Sequence, residues 1–182
     1  MANEKIADGK AEILNAVLND KTIKAKAKTG QILQRLLQGD VSVPQLISFA
    51  ALQPDAHKAS LIEVIEHASK IHPEMVDENA LEFVIQNLTS AAPRVKWESA
   101  KVVGNVIHLF PKHVKKATGN LLNNTESKGT VVRWSAAYAL AQIVNCKTPL
   151  NTELIPAIEA IIKREQDNAI IKIYQKAIAK AK

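Results

Sequence analysis

Cysteine, glycine, aromatic residues and long apolar runs are all scarce in this sequence of 182 residues. The single cysteine, Cys146, excludes an internal disulfide. Only six glycines, two Trp, two Tyr and three Phe are present, which argues against a β fold with many turns and against a glycine-rich nucleotide loop. The longest stretch without an acidic or basic residue runs from Val41 to Pro54, so no segment is long enough to cross a bilayer.

A secretory signal is also missing from the first ten residues, which carry four charged residues where such a signal needs an apolar core. A mean hydropathy of -0.07 is typical of a globular protein. We therefore expect one folded domain in the cytoplasm and no membrane partner.

Residue patterns that indicate catalysis or metal binding are absent as well. The pairs His67/His72 and His108/His113 are each five residues apart, whereas two imidazoles on one helix face need a spacing of four. Cys146 has neither a second cysteine nor a partner for a nucleophilic dyad. The sequence contains no phosphate loop or nucleophile elbow. These absences predict a protein without cofactor, metal or catalytic activity.

Charge is present in blocks of opposite sign. The net charge of +6 and the pI of about 9.4 suggest an anionic partner. However, residues 41–91 carry two basic and seven acidic side chains, whereas residues 92–128 carry seven basic and two acidic ones. A uniformly cationic nucleic-acid binder does not have this distribution, although the positive second half leaves phosphate binding open.

Apolar residues recur with helical spacing along most of the chain, and no stretch alternates as a strand does. Helix breakers, mainly prolines, separate the periodic runs. The pattern predicts an all-α fold of about ten helices, at residues 4–19, 22–38, 43–52, 55–71, 78–89, 93–109, 112–122, 130–146, 152–164 and 168–181.

An internal repeat relates the longer helices. Val95-Lys96-Trp97 matches Val132-Arg133-Trp134 at a shift of 37 residues, and the match continues to Ile107 and Val144. The template extends to His57 before these helices and to Ile171 after them, at shifts of 38 and 39. A period near 37 that covers a helix pair indicates a solenoid.

The segment Val132 to Ala141, with Val-Arg followed by two alanine-rich turns, resembles the second helix of HEAT repeats, and Val95 to Ile107 resembles it less closely. The resemblance covers residues 40–182. It implies a right-handed α-α superhelix of about five antiparallel helix pairs in a single domain, 1–182. Within it, 41–182 form the repeats and 1–40 a capping pair. Proteins with such repeats are mostly scaffolds and adaptors, so a protein partner is expected.

In HEAT-like folds the second helix of each pair lines the concave surface. A projection at 100° per residue places one stripe of each of four second helices opposite the core. The stripes of Trp97 and Trp134 predict a groove with aromatic anchors and, beside the small residues Gly104 and Ala141, an open trough. The alternative is that each indole packs on the neighbouring repeat. The candidates for partner binding are Glu63, Glu66, Trp97, Lys101, His108, Trp134, Tyr138 and Asn145.

Basic residues also recur at one repeat position, namely Lys58, Lys96, Arg133 and Lys172. In HEAT-like proteins this position often carries an Arg that pairs with an acid or a backbone carbonyl of the adjacent repeat. The resemblance therefore implies a structural role for these four residues.

Two further functions compete with protein binding. The groove could bind nucleic acid through its basic and aromatic residues. Some HEAT-like DNA glycosylases hold alkylated DNA with tryptophans beside a carboxylate. Here the only carboxylates projected onto the stripe are Glu63 and Glu66, one repeat away from Trp97, and Glu98 projects about 100° from the stripe by the helical geometry. The sequence therefore favours noncatalytic protein binding over both.

Overall fold

A computed structural model describes residues 2–181, with side chains from residue 9 onward. Over this range the chain forms ten α-helices and no strand. The helices are α1 (Ala2–Asn19), α2 (Ala25–Leu37), α3 (Val43–Ala51), α4 (Asp55–Ile71), α5 (Glu78–Asn87), α6 (Pro93–Val106), α7 (Val114–Asn124), α8 (Thr130–Asn145), α9 (Asn151–Arg164) and α10 (Asn168–Ala181). The predicted all-α fold and the number of helices are confirmed.

Helix ends differ from the prediction where local hydrogen bonds compete with the α-helix. Asp20 accepts hydrogen bonds from the backbone N–H and the hydroxyl of Thr22, and the resulting turn delays the start of α2 to Ala25. The predicted helix 93–109 ends at Val106 and tightens into a 3-10 turn over Ile107–Leu109. A second 3-10 turn, Pro111–His113, precedes α7.

The helices form two layers. The second helix of each pair (α2, α4, α6, α8 and α10) packs along its length against the next second helix, whereas the first helices touch one another at few positions. Because the more closely packed layer of a curved stack lies on its inner side, the second helices form the concave layer. One continuous apolar core fills the space between the two layers.

α8 lies between α6 and α10, and its sequence fits this central place. The alanines of the helix allow close approach on both sides, while Val132, Leu140, Ile143 and Val144 are fully or almost fully buried. A helix that is apolar around most of its circumference must be covered on more than one side.

Asparagine side chains connect successive repeats at three places by donating to backbone carbonyls. These hydrogen bonds run from Asn105 to Glu66 at 3.1 Å, from Asn120 to Ile85 at 3.2 Å and from Asn124 to Leu88 at 3.0 Å. Each acceptor lies 35 to 39 residues earlier in the chain, which is about one repeat. The bonds connect the third pair to the second and the fourth pair to the third.

Among the described residues, none of the helices has the length and apolar character that a transmembrane segment needs.

Candidate functional site

Trp97 and Trp134 occupy the same place in adjacent helices of the concave layer. Each is the fifth residue of its helix, α6 and α8 respectively, and these two helices pack directly against each other. Trp97 is half-buried, whereas Trp134 leaves 39% of its surface exposed. The two indoles differ in what holds them.

Trp134 stacks on Tyr138, one turn further along α8, and the two rings form what we call the aromatic platform. Their centroids lie 6.0 Å apart and their planes differ by 4°. A Cβ added to Gly104 of α6 would lie 2.5 Å from Cε1 of Tyr138, so the tyrosine ring occupies the space that a side chain at position 104 would need. The predicted open trough beside Gly104 is therefore wrong, because Tyr138 fills it. Ala141, the other small residue, is buried.

Hydrogen bonds to α6 and α4 hold the platform in place. The hydroxyl of Tyr138 donates to Oδ1 of Asn105 at 2.7 Å. The amide of Asn105 donates in turn to the carbonyl of Glu66 at 3.1 Å and to the hydroxyl of Ser69 at 2.9 Å. Burial and then the charge of Glu66 raise the pKa of Tyr138, which keeps its hydroxyl protonated as a donor. The platform is thus tied through α6 to α4.

Beside the platform lies a charge cluster in which the buried carboxylates of Glu66 and Glu98 contact the half-buried Lys101 and the exposed Lys70. Nζ of Lys101 is 2.8 Å from Oε2 of Glu98 and 3.5 Å from Oε2 of Glu66. Nζ of Lys70 is 2.6 Å from Oε1 of Glu66. Glu66 is 0% exposed and Glu98 is 4% exposed. The contacts of Glu66 are ion pairs without hydrogen-bond alignment, since neither of its oxygens has an aligned donor.

Lys101 keeps its charge in this cluster. Burial lowers the pKa of Lys101, but the hydrogen bond to Glu98 and the negative charges of Glu98 and Glu66 outweigh burial and raise the pKa overall. The ammonium group therefore stays protonated at neutral pH and neutralises the carboxylates that flank it.

Trp97 belongs to this cluster and not to the platform. Its indole N–H donates to Oε1 of Glu98 at 2.7 Å. The projection had placed Glu98 away from the stripe, yet its carboxylate reaches the indole. Glu66, predicted as a partner contact, is instead covered completely by the chain itself. That prediction is corrected, because α6 packs over the helix face that carries Glu66.

The remaining candidates lie apart from the platform. Glu63 accepts hydrogen bonds from Arg94 at 2.8 Å and from Thr29 at 3.1 Å, and it lines a depression of about 430 Å³ between α2 and α4. His108 is exposed in the 3-10 turn after α6, and Asn145 is exposed as the last residue of α8. The structure does not bring these three residues together with Trp134.

The four repeat-position residues have different surroundings. Arg133 donates to both carboxylate oxygens of Glu165, at 2.8 and 3.2 Å, and to the carbonyl of Ser127 at 2.9 Å. The hydrogen bond from Arg133 holds the pKa of Glu165 below its usual value. Lys58 lies 3.8 Å from Asp55 of its own helix. Neither Lys96 nor Lys172 pairs with an acid among the residues described.

The chemistry available in this region is limited. Within residues 9–181, no group of three or more His, Cys, Asp or Glu side chains could hold a metal ion. Burial raises the pKa of Cys146, which keeps its thiol protonated and a poor nucleophile. The carboxylates nearest to Trp97 are engaged by Lys101. What the arrangement can do is present a rigid aromatic surface.

Comparisons with known proteins show which fold this is. The sequence matches no family profile and no curated protein. A chain of the complex of CpcE and CpcF of phycocyanin lyase from Nostoc sp. PCC7120 has a similar structure, with a TM-score of 0.69, 21% identity, and coverage of 92% of this chain and 96% of that one.

Designed repeat proteins are similar too. A computationally designed armadillo repeat protein for modular peptide recognition gives a TM-score of 0.68 at 16% identity, over 81% of this chain and 67% of that one. A designed armadillo repeat protein in complex with the peptide (KR)4 gives 0.55 at 12% identity, over 94% and 99%. The chain therefore has the HEAT/armadillo-like solenoid fold, as its resemblance to HEAT repeats predicted.

Proposed function

We propose that this protein is a noncatalytic interaction module that binds an extended segment of a partner protein on its concave layer, at the aromatic platform. The observation that carries the proposal is that Trp134 is 39% exposed and yet held in place by stacking on Tyr138. The repeat fold supports the proposal, since structures of this kind include a protein designed for peptide recognition.

The platform is suited to binding because its side chains are already restricted in conformation before a ligand binds. Tyr138 is confined by the backbone of α6 at Gly104 and by the hydrogen bond to Asn105. A ligand that covers the indole of Trp134 therefore loses little additional conformational entropy in the protein. Tryptophan and tyrosine are enriched among the residues that contribute most to binding energy.

The charges near the platform favour a contact that does not depend on salt. Glu98 and Glu66 are neutralised by Lys101 and Lys70, and the platform itself carries no charge. The partner segment should therefore contribute apolar or aromatic side chains at Trp134, with hydrogen bonds around them.

Nucleic-acid binding by the groove receives less support. Three of the cations available for it, Lys112, Lys115 and Lys116, lie in the turn before α7 and in the first turn of α7, which is a helix of the outer layer. A glycosylase would need a free carboxylate beside a tryptophan, but the carboxylate at Trp97 accepts from both the indole and Lys101.

Selection of peptides from a random display library on the immobilised protein tests the proposal. The selected peptides are then titrated against a Trp97→Phe variant, in which Trp134 is the only tryptophan and its fluorescence reports contact. We expect the emission of Trp134 to shift on binding. We also expect Trp134→Ala to weaken affinity by about tenfold or more, as truncation of an anchor residue does.

Leu52→Ala is a matched control, because Leu52 is an apolar residue that is 85% exposed and lies beyond the end of α3. It should leave affinity unchanged. Circular dichroism of each variant reports whether the fold is intact. Equal affinity of the Trp134→Ala variant and the wild type would show that the platform is not the binding site. Retardation of DNA that weakens steeply with salt would favour the nucleic-acid alternative.

A further inference from the structure

A different surface of the molecule carries an exposed apolar row. Leu37, Ile71 and Leu109 lie at or just after the C-terminal ends of α2, α4 and α6, which are neighbours in the concave layer. Their exposed fractions are 45%, 65% and 44%. Large apolar side chains that line up on one edge of a protein indicate a contact surface.

Two turns of opposite charge border this row. The acidic turn, residues 72–78, follows α4 and exposes Glu74, Asp77 and Glu78. The basic turn, residues 110–116, follows α6 and exposes Lys112, Lys115 and Lys116.

The two turns lie side by side in the stack. Nε2 of His113, in the basic turn, is 2.7 Å from Oε1 of Glu78 in the acidic turn. That hydrogen bond lowers the pKa of Glu78, so its carboxylate is ionised at neutral pH. The edge thus presents a negatively charged turn beside a positively charged one, and both lie next to Ile71 and Leu109.

We propose that this edge is a docking surface for a second copy of the same chain, related by a two-fold axis that passes between the acidic turn and the basic turn. Rotation by 180° about such an axis places the acidic turn of each copy over the basic turn of the other. It also brings Ile71 of each copy towards Leu109 of its partner copy.

The order of the two charged turns along the edge, negative and then positive, favours a second copy as the partner. A partner of uniform charge would meet attraction at one turn and repulsion at the other, whereas a second copy in two-fold orientation meets opposite charge at both. The same bipolarity extends over the sequence, because residues 41–91 carry five more acidic than basic side chains and residues 92–128 carry five more basic than acidic ones. The platform of each copy stays uncovered, since it lies near the opposite ends of the second helices.

Charge reversal provides a stringent test by sedimentation velocity over a range of protein concentrations at low salt. The wild type is expected to form a concentration-dependent dimer that dissociates as salt is added. One variant, Glu74→Lys with Glu78→Lys, makes both turns positive. The other, Lys112→Glu with Lys115→Glu, makes both turns negative. Each variant alone should dissociate at least about tenfold more readily than the wild type, because like charges then face each other.

The equimolar mixture of the two variants should recover the dimer, because each positive turn then meets a negative one. Recovery also shows that both variants are folded. A wild type that sediments as a monomer at every concentration, a reversal that leaves association unchanged, or a mixture that stays monomeric would each overturn the proposal. Trp134→Ala should leave dimerisation unaltered, so the outcome is independent of binding at the platform.

Discussion

α6 and α8 are built on one sequence template, yet their tryptophans have different surroundings. Trp97 of α6 donates its indole N–H to the buried carboxylate of Glu98. Trp134 of α8 has Ser135 at the equivalent position, and Ser135 donates instead to the carbonyl of Val132. The tryptophan at the fifth position is therefore held within a charge cluster in α6, whereas in α8 it is exposed and stacks on Tyr138.

The residues four positions after each tryptophan differ as well. Lys101 of α6 neutralises two carboxylates, while Tyr138 of α8 supports the exposed indole by stacking. Repetition of a packing pattern thus leaves the role of an aromatic residue open, and the polar residues one and four positions later decide it. Trp97 is thus engaged within the protein, whereas Trp134 is exposed, and the proposed binding role of Trp134 rests on this difference.

The largest expected effect comes from removing the cation of the α6 cluster. Lys101→Met leaves the carboxylate of Glu98 without a counter-ion and that of Glu66 with Lys70 at 2.6 Å and His67 at 3.4 Å. Breaking one partner of a buried ion pair costs several kcal/mol, and we expect about 3 kcal/mol less free energy of unfolding, measured by urea denaturation at pH 7.

Lys96→Met is the control for that change, because Lys96 lies on the same helix and pairs with no acid in the described part of the chain. It should alter the free energy of unfolding by less than about 0.5 kcal/mol. Since the folded-state pKa of Lys101 is raised, its contribution is complete below its ordinary value of 10.5 and is lost as the pH rises further. An equal loss in both variants would contradict a cluster that depends on Lys101.

Truncation of the two tryptophans tests the comparison directly. Trp97→Ala removes half-buried apolar surface and one donor to Glu98, and we expect a loss of about 2 kcal/mol in unfolding free energy. Trp134→Ala removes a residue that is 39% exposed and should cost about 1 kcal/mol or less. Thermal and urea unfolding followed by circular dichroism measure both changes. If Trp134→Ala is the more destabilising of the two, the assignment of roles is reversed.

Gly104→Ala should break the packing of Tyr138 against α6 while leaving both tryptophans in the sequence. The added methyl group would meet the ring of Tyr138 at 2.5 Å and Cα of Ala139 at 3.2 Å, so the ring must leave its site. Overpacking costs about 1–3 kcal/mol, and the better helix propensity of alanine offsets about 1 kcal/mol, which leaves a loss of about 1 kcal/mol. Peptide affinity should fall as well.

Gly119→Ala serves as the control for Gly104→Ala, because an added Cβ there meets no atom within 4 Å. It should stabilise the protein slightly through helix propensity. A Gly104→Ala variant that gained stability in the same way would show that Tyr138 is free to move and that the platform is not preorganised.

The smallest expected effect concerns the repeat position that carries Arg133 in α8 and Lys96 in α6. Glu165→Gln weakens the paired hydrogen bonds with Arg133, and we expect a loss of about 1 kcal/mol after allowance for solvent screening. The pKa of Glu165 is lowered in the folded state, so its contribution is present above about pH 4.5 and disappears as the pH falls through the folded-state value. Urea denaturation should show a smaller difference between wild type and variant at pH 3 than at pH 7.

The fold could be predicted from the sequence because its determinants are local. Apolar residues at helical spacing and prolines between the helices determine the ten elements, and the repeat of Val95-Lys96-Trp97 at Val132 relates the pairs. What failed locally was the start of α2, where Asp20 forms a turn with Thr22 that competes with the helix.

The candidate site could be predicted only in part, for a geometric reason. A helical projection gives the direction of Cα–Cβ bonds, whereas Glu98 has a side chain long enough to reach an indole that projects elsewhere. The burial of Glu66 depends on the neighbouring helix α6, which a projection of α4 alone does not contain. Tyr138 was expected in the groove, but its packing against Gly104 required the distance between two helices.

The hydrogen bonds from Asn105, Asn120 and Asn124 have a consequence for how such a chain can diverge. Each amide is bound by a main-chain carbonyl, and every residue type offers the same carbonyl. These hydrogen bonds therefore place no requirement on the residue type at positions 66, 85 and 88, and only packing and charge constrain those side chains. A junction between repeats can thus be kept by an asparagine on one side alone, without a matching side chain on the other.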